Sequence, residues 1–217
     1  MVVVYLGYYW SFVIQSNLTF RDIFNFMEEF EIKFLEVDVL ELEKKLLTIG
    51  AEKVGEYHYQ RALFDYSDLH LNKANSWLRL RTNGNEVTLS YKQRIGVKSH
   101  DGSIPDDGMK EIEVIVDNYE KTYELLKSIG LIVKREEKNK RIRYTKGDAV
   151  FDIDFWPQIP TYVEIESTSL EKAKEAAREL GFDPEKGFIC SAGSIYRRYG
   201  INKDEYSLIS FEKMIKK

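Results

Sequence analysis

The chain has 217 residues, 43% of them hydrophobic and 13% aromatic, enough to bury a core, which excludes a disordered polymer. Its 36 acidic and 32 basic residues nearly cancel to a formal charge of -4, a balance that speaks against nucleic acid as a partner, since such binders are normally basic overall. The single cysteine, Cys190, excludes an intramolecular disulfide and fits a reducing, cytoplasmic setting; His58, His70 and His100 stand too far apart for a histidine-based zinc site.

The chain opens on "MVVVYLGYYWSFVIQ", which lacks a basic start and is shorter than the roughly 20 apolar residues a spanning helix needs, so no membrane partner is expected. Met27 stands directly before a self-contained run, and residues 1–26 read as an upstream extension that need not be native. "EEFEIKF" (28–34) alternates charged and apolar residues as a strand does. "VDVLELEKKLLTIGA" follows as an amphipathic helix over 39–49, with Asp38 to cap it and Gly50 to stop it. "EKVGEYHYQRALFDY" has no helical period and reads as a long strand. "SWLRLRTN" and "EVTLSYKQR" form a hairpin around Asn83, Gly84 and Asn85, residues that accept positive backbone angles.

"IGVKSHDGSIPDDG" is a loop by its glycine, proline and aspartate content. "MKEIEVIVD" is a strand, and "NYEKTYELLKSIG" a helix over 119–129 ended by Gly130. "LIVKREEKNKRIRYTKG", "AVFDIDFW" and "YVEIEST" give three more strands, then helices follow over 170–180, capped by Ser169, and over 191–199. The closing segment, 201–217, shows no clear period and reads as a tail after a domain spanning 27–200. "EIKFLEVDVLELEKKLLTIGAEKV" and "EIEVIVDNYEKTYELLKSIGLIVK" repeat one plan of strand, helix, "IG" and strand, so two related halves around one sheet are expected. The element order is that of an α+β fold with an antiparallel sheet.

Splitting the strands into alternate faces isolates one charged set. Glu29, Glu31 and Lys33 oppose Phe30, Ile32 and Phe34; Arg79 and Arg81 oppose Leu78 and Leu80; Lys92 shares a face with Thr88 and Ser90. Glu111 with Glu113, Arg141 with Arg143, Asp152 with Asp154, and Glu164 with Glu166 form further doublets. An ordinary sheet with one solvated face explains each strand taken alone. It does not explain the doublets, because like charges at neighbouring same-face positions repel unless something of opposite charge sits among them. Carboxylates are hard ligands suited to Mg2+ or Mn2+, and guanidinium forks match phosphate oxygens, so a lumen lined by both suits a metal-bound polyphosphate. The apolar faces would then point outward, beneath the amphipathic helices.

The ordered series "EFEIK", "WLRLR", "LSYKQ", "EIEV", "KNKRIRY", "FDIDFW" and "YVEIE" resembles the CYTH superfamily of triphosphate tunnel metalloenzymes over residues 28 to about 200. The resemblance implies a closed eight-stranded antiparallel β-barrel with helices outside, acting on a triphosphate-containing small molecule: inorganic triphosphate, ATP or thiamine triphosphate. It implies Glu29, Glu31, Glu111, Glu113, Asp152, Asp154, Glu164 and Glu166 as the acidic set that holds Mg2+ or Mn2+, some of them directly. Lys33, Arg79, Arg81, Lys92, Arg141 and Arg143 would grip phosphate, with Lys33 also assigned to catalysis. "GSIYRRYG" offers Ser194, Arg197 and Arg198 where triphosphatases of the family often place a helical lysine, and Trp156, Pro157 and Pro160 stand where the cyclase pattern has a glycine-rich link. A triphosphate hydrolase is the leading expectation; a class IV adenylyl cyclase and a non-catalytic polyphosphate-binding module stay open, as does a homodimer.

Overall fold

The computed structural model describes residues 30–94 and 109–217. The upstream extension over 1–26, Glu29, and the loop expected over 95–108 lie outside the described residues. Ten strands follow in chain order: β1 (Phe30–Leu35), β2 (Glu52–Asp65), β3 (Ser76–Thr82), β4 (Val87–Arg94), β5 (Met109–Val116), β6 (Ile132–Lys146), β7 (Ala149–Phe155), β8 (Tyr162–Ser167), β9 (Tyr206–Ile209) and β10 (Met214–Lys216). The helices are α1 (Val39–Thr48), a single turn α2 (His70–Lys73), α3 (Tyr119–Ser128), α4 (Leu170–Glu179) and α5 (Ala192–Arg198).

Eight strands pair antiparallel in the order β1-β8-β7-β6-β2-β3-β4-β5. Exchanging β1 with β5, β2 with β6, β3 with β7 and β4 with β8 returns the same order reversed, which is the two-fold relation that the internal repeat predicts. The sheet curls until residues from all eight strands line one cavity, although no hydrogen-bonded ladder is traced between the β1 and β5 edges among the described residues. The architecture is thus an α+β, barrel-like antiparallel sheet with helices on its outside.

Local chemistry sets the helix ends. Asp38 accepts from the Glu41 amide at 2.9 Å, Asn118 from Lys121 at 2.8 Å and Ser169 from Lys172 at 3.3 Å, each satisfying an otherwise orphaned N–H of the first turn. Gly50 (φ 82°) and Gly130 (φ 99°) end α1 and α3 in the left-handed conformation that L residues resist, and both belong to the repeated "IG". The apolar strand faces are buried beneath helices. Leu42 and Leu46 of α1 and Ala173 and Ala177 of α4 cover Ile32, Ile153, Val163 and Ile165. Tyr119 and Leu126 of α3 cover Ala62, Phe64 and Leu80. Each fully buried aliphatic side chain contributes roughly 1.5–3 kcal/mol.

Two placements differ from the outside-helix expectation. The segment α5 packs Ile195 and Tyr196 with Trp156, Tyr162 and Ile209 at one end of the barrel and turns Ser194 and Arg197 into the cavity. On β5, Ile112 and Val114 remain 43% and 50% exposed, so its apolar face lacks a helical cover among the described residues. The closing segment, aperiodic in sequence, nevertheless docks: β9 pairs parallel with β6 through Glu136↔Leu208 and Glu137↔Ile209, and β10 pairs with β9.

Candidate functional site: a charged tunnel

The cavity inside the sheet has a volume of about 810 Å3. Strand alternation aims the charged doublets into it while their apolar neighbours face the helices. All six expected phosphate-binding residues line it, and so do Glu31, Glu111, Glu113, Asp154, Glu164 and Glu166; Asp152 lies behind them, tied to Arg141 and Arg143.

The β1–β8 wall carries the first group. In this ladder Lys33 is opposite Glu164 and Glu31 is opposite Glu166. Lys33 is only 2% exposed; its Nζ contacts Glu31 and lies 3.3 Å from Glu164 Oε2. Its backbone is held by a reciprocal pair of 2.9 Å hydrogen bonds with Phe188. Against the upward push of burial, Lys33 and Arg141 hold the Glu164 carboxyl well below the usual carboxylate range. Glu166, two residues on, differs. Among the described residues it makes no ion pair, and burial together with Glu164 and Asp152 pushes its carboxyl up, outweighing Arg143 and Arg141.

On β6 and β7 the register sets Arg141 opposite Asp154 and Arg143 opposite Asp152. Arg141 donates from Nε to Asp154 Oδ1 at 2.8 Å and from Nη2 to Oδ2 at 2.5 Å, and also contacts Asp152. Arg143 forks Asp152 at 2.7 and 2.6 Å. Such bidentate pairs fix the guanidinium planes. On β3, β4 and β5, Arg79 donates to Ser90 Oγ at 3.2 Å and reaches Glu113 at 3.3 Å and Glu111 at 3.5 Å; Lys92 meets Glu111 at 2.5 Å, and Arg81 stands 3.7 Å from Glu113. Each of these acids sits against the basic set.

Further lining residues fall outside the sequence-derived set. Arg61 of β2 lies 4.7 Å from the Trp156 ring centroid and hydrogen-bonds Asn139, leaving its buried Nε without a partner among the described residues. Glu137 and Arg135 of β6 meet Lys203 and Asp204 from the closing segment: Lys203 Nζ is 2.7 Å from Glu137 Oε1, and Arg135 Nη1 is 3.0 Å from Asp204 Oδ1. Burial pushes Lys203 down to about 8, and Glu137, against its own burial, is held well below the usual range by Lys203 and Arg135. The period-two signal was present for some of these. Continuing the inward face of β6 back from Arg143 gives Arg141, Asn139, Glu137 and Arg135, and the inward face of β2 runs Tyr57, Tyr59, Arg61. For Lys203 no local pattern points inward.

The charge is unevenly matched along the tunnel. Arg79 is pushed down to about 9 by burial and by Arg81 and Arg61, and Arg61 is pushed down by burial against Glu137. That cluster is short of negative charge, whereas Glu166 sits in a corner short of positive charge. A polyanion would relieve the first and a cation the second. Among the described residues no three carboxylates already enclose an ion. A cation such as Mg2+ is usually held by one or two carboxylates and completes its shell with substrate oxygens and water. Glu166 and Glu31, opposite one another, offer the hard oxygen donors.

The profile of the CYTH domain family matches residues 27–190. No curated protein matches the chain. Among solved structures, the PH1012 protein of Pyrococcus horikoshii is 21% identical, with a TM-score of 0.62 over 77% of this chain and 98% of its own. Two others carry the name "putative" adenylyl cyclase. One, from Vibrio parahaemolyticus, is 14% identical with a TM-score of 0.66 over 80% of this chain and 99% of its own. The other, from Hippeastrum, described with a dominant triphosphatase activity, is 18% identical with a TM-score of 0.56 over 82% and 99%.

Proposed function

The chain belongs to the CYTH domain family, and from that premise we propose that it hydrolyses a triphosphate, inorganic or organic, in a reaction dependent on Mg2+ or Mn2+. The observation that carries this reading is one cavity whose wall gathers Arg61, Arg79, Arg81 and Lys92 on β2, β3 and β4 and Glu31, Glu164 and Glu166 on β1 and β8. A metal triphosphate is a ligand that neutralises both at once.

In this reading Lys33, Arg79, Arg81, Lys92, Arg141 and Arg143 hold the phosphate oxygens. Asp152, Asp154, Glu111 and Glu113 orient those donors through the ion pairs described above. Glu31 and Glu166 hold the cation, with Glu164 at the edge of the same corner. When bound, the cation neutralises phosphate oxygens and makes the phosphorus more electrophilic. Lys33, desolvated and clamped between Glu31 and Glu164, presents a fixed positive charge to the oxygens that gain charge as water attacks in line. Because the acids pre-set the cationic forks, little reorganisation is needed during the step.

The test is to incubate the purified chain with Mg2+ or Mn2+ and triphosphate, ATP or thiamine triphosphate, and to measure phosphate, pyrophosphate and cyclic AMP. Phosphate release that stops on chelation is the expected result. Cyclic AMP and pyrophosphate without phosphate would replace hydrolase by cyclase. Tight binding with no turnover would leave a binding module.

A further inference from the structure

Beside the tunnel lies a smaller cavity of about 290 Å3, formed by the first half of β2 and the hairpin end of β3 and β4. Arg81, Glu113 and Arg143 line both spaces, so an occupant of the smaller one is within reach of guanidinium groups assigned to phosphate. Tyr57 and Tyr59 face into it from one side of β2, with ring centroids 6.0 Å apart and planes 20° apart. The Arg81 guanidinium carbon stands 5.0 Å from the Tyr59 centroid. Gly55 leaves room for the Tyr57 ring, since a Cβ there would lie 3.2 Å from Tyr57 Cζ and Oη and crowd it.

A second observation, independent of the rings, comes from β4. Thr88 is 4% exposed, lines the same cavity, and its Oγ1 is buried without a hydrogen-bond partner among the described residues. A buried hydroxyl left unpaired is unfavourable for folding by itself, and the polar edge of a ligand would satisfy it. Thr88 sits directly opposite Arg81 in the β3–β4 register, so the unpaired oxygen and the shared guanidinium belong to one rung.

We propose that this cavity seats the planar heterocycle of an organic triphosphate, a nucleobase-like ring stacked on Tyr59 and Tyr57 with its polar edge hydrogen-bonded to Thr88 Oγ1. The inference rests on the triphosphate reading and narrows it to the organic class. Inorganic triphosphate has no flat face to stack and no edge to meet Thr88, so it leaves these features unused. An ester-linked ring, in contrast, lies next to its own phosphates at Arg81 and Arg143.

The test compares equilibrium binding of non-hydrolysable imido analogues of ATP and of inorganic triphosphate, each with Mg2+, to the full chain by titration calorimetry. The readout is the ratio of the two dissociation constants. Tyr59→Ala is expected to shift that ratio by about 5- to 100-fold against the nucleotide, the range for losing one ring–base stack. Tyr59→Phe, which keeps the ring, should preserve the ratio, and Thr88→Val, close to isosteric, should shift it by roughly 3- to 10-fold. If Tyr59→Ala leaves the ratio unchanged, whether both constants move together or neither moves, the ring seat is overturned and the triphosphate reading stands. If the unmodified chain binds inorganic triphosphate but not the nucleotide, the result is the same. Binding of neither ligand overturns both.

Discussion

Two carboxylates two residues apart on β8 should respond to the same substitution with opposite signs. Glu166 is held among Glu164 and Asp152 with its carboxyl pushed up and no ion pair among the described residues. Replacing it by Gln removes like-charge repulsion worth roughly 0.2–1 kcal/mol for neighbouring strand positions. At about 2–4 °C per kcal/mol for a chain of this size, Glu166→Gln should raise the melting temperature by about 0.4–4 °C at pH 7–8. The sign follows from linkage. A carboxyl whose folded pKa lies above its unfolded value of 4.5 stabilises the fold at low pH, and that contribution is lost as pH rises through the folded pKa. The gain from Gln should therefore shrink to nothing as pH falls below about 4.

Glu164→Gln is the reverse case. It weakens the acceptor of buried Lys33 and of Arg141, and breaking such a pair costs about 3–5 kcal/mol, a fall in melting temperature of roughly 6–20 °C. Thermal unfolding at pH 7.5 and pH 4, with Mg2+ titrations of triphosphate turnover, checks both. Glu166→Gln should need at least about 10-fold more Mg2+ for half-maximal activity despite its higher stability, the trade-off expected of a group kept for binding and not for folding. A destabilised Glu166→Gln, or one with unchanged Mg2+ demand, would refute the assignment of this corner to the cation.

Lys33→Met should abolish turnover and also destabilise the fold by about 3–5 kcal/mol, because Glu31 and Glu164 lose their shared cation; chemical denaturation and a phosphate-release assay measure the two effects separately. Lys203→Met leaves buried Glu137 with Arg135 as its remaining close cation, and a loss of about 2–4 kcal/mol in urea unfolding is expected. Since Glu137 has a depressed pKa, its contribution is present above the unfolded value of 4.5 and is lost as pH falls below it, so the Lys203→Met deficit should narrow in acid. Inorganic triphosphate with Mg2+, at 100 times its dissociation constant, should stabilise the chain by about 2.7 kcal/mol, read as a rise in melting temperature that chelation reduces.

Much of the architecture is legible along the chain because it rests on local rules. The alternation in "EFEIKF", "WLRLR" and "FDIDF" assigns each side chain to a face whatever the partner strand is. Asp38 and Ser169 start helices by accepting from amides three positions on. The repeated plan ending in "IG" predicts a two-fold sheet, and the strand order has that symmetry.

The sequence by itself thus determined the first eight strands, their charged faces, the caps at Asp38 and Ser169 and the family, all of which depend on neighbours a few residues apart. Tertiary structure alone decided which charges find partners. Glu164 and Glu166 are indistinguishable in "YVEIE", yet the β1–β8 register puts Lys33 across from one and Glu31 across from the other. Lys203 looks like any surface lysine until β9 runs alongside β6 and carries it to Glu137, which is 66 positions away (203 minus 137). Thr88 and the Tyr57–Tyr59 pair meet in one cavity only because the sheet curls. Pairing and burial are set by non-local register and closure, and the free energy of a charge is governed by what stands opposite it and not by what precedes it in the chain.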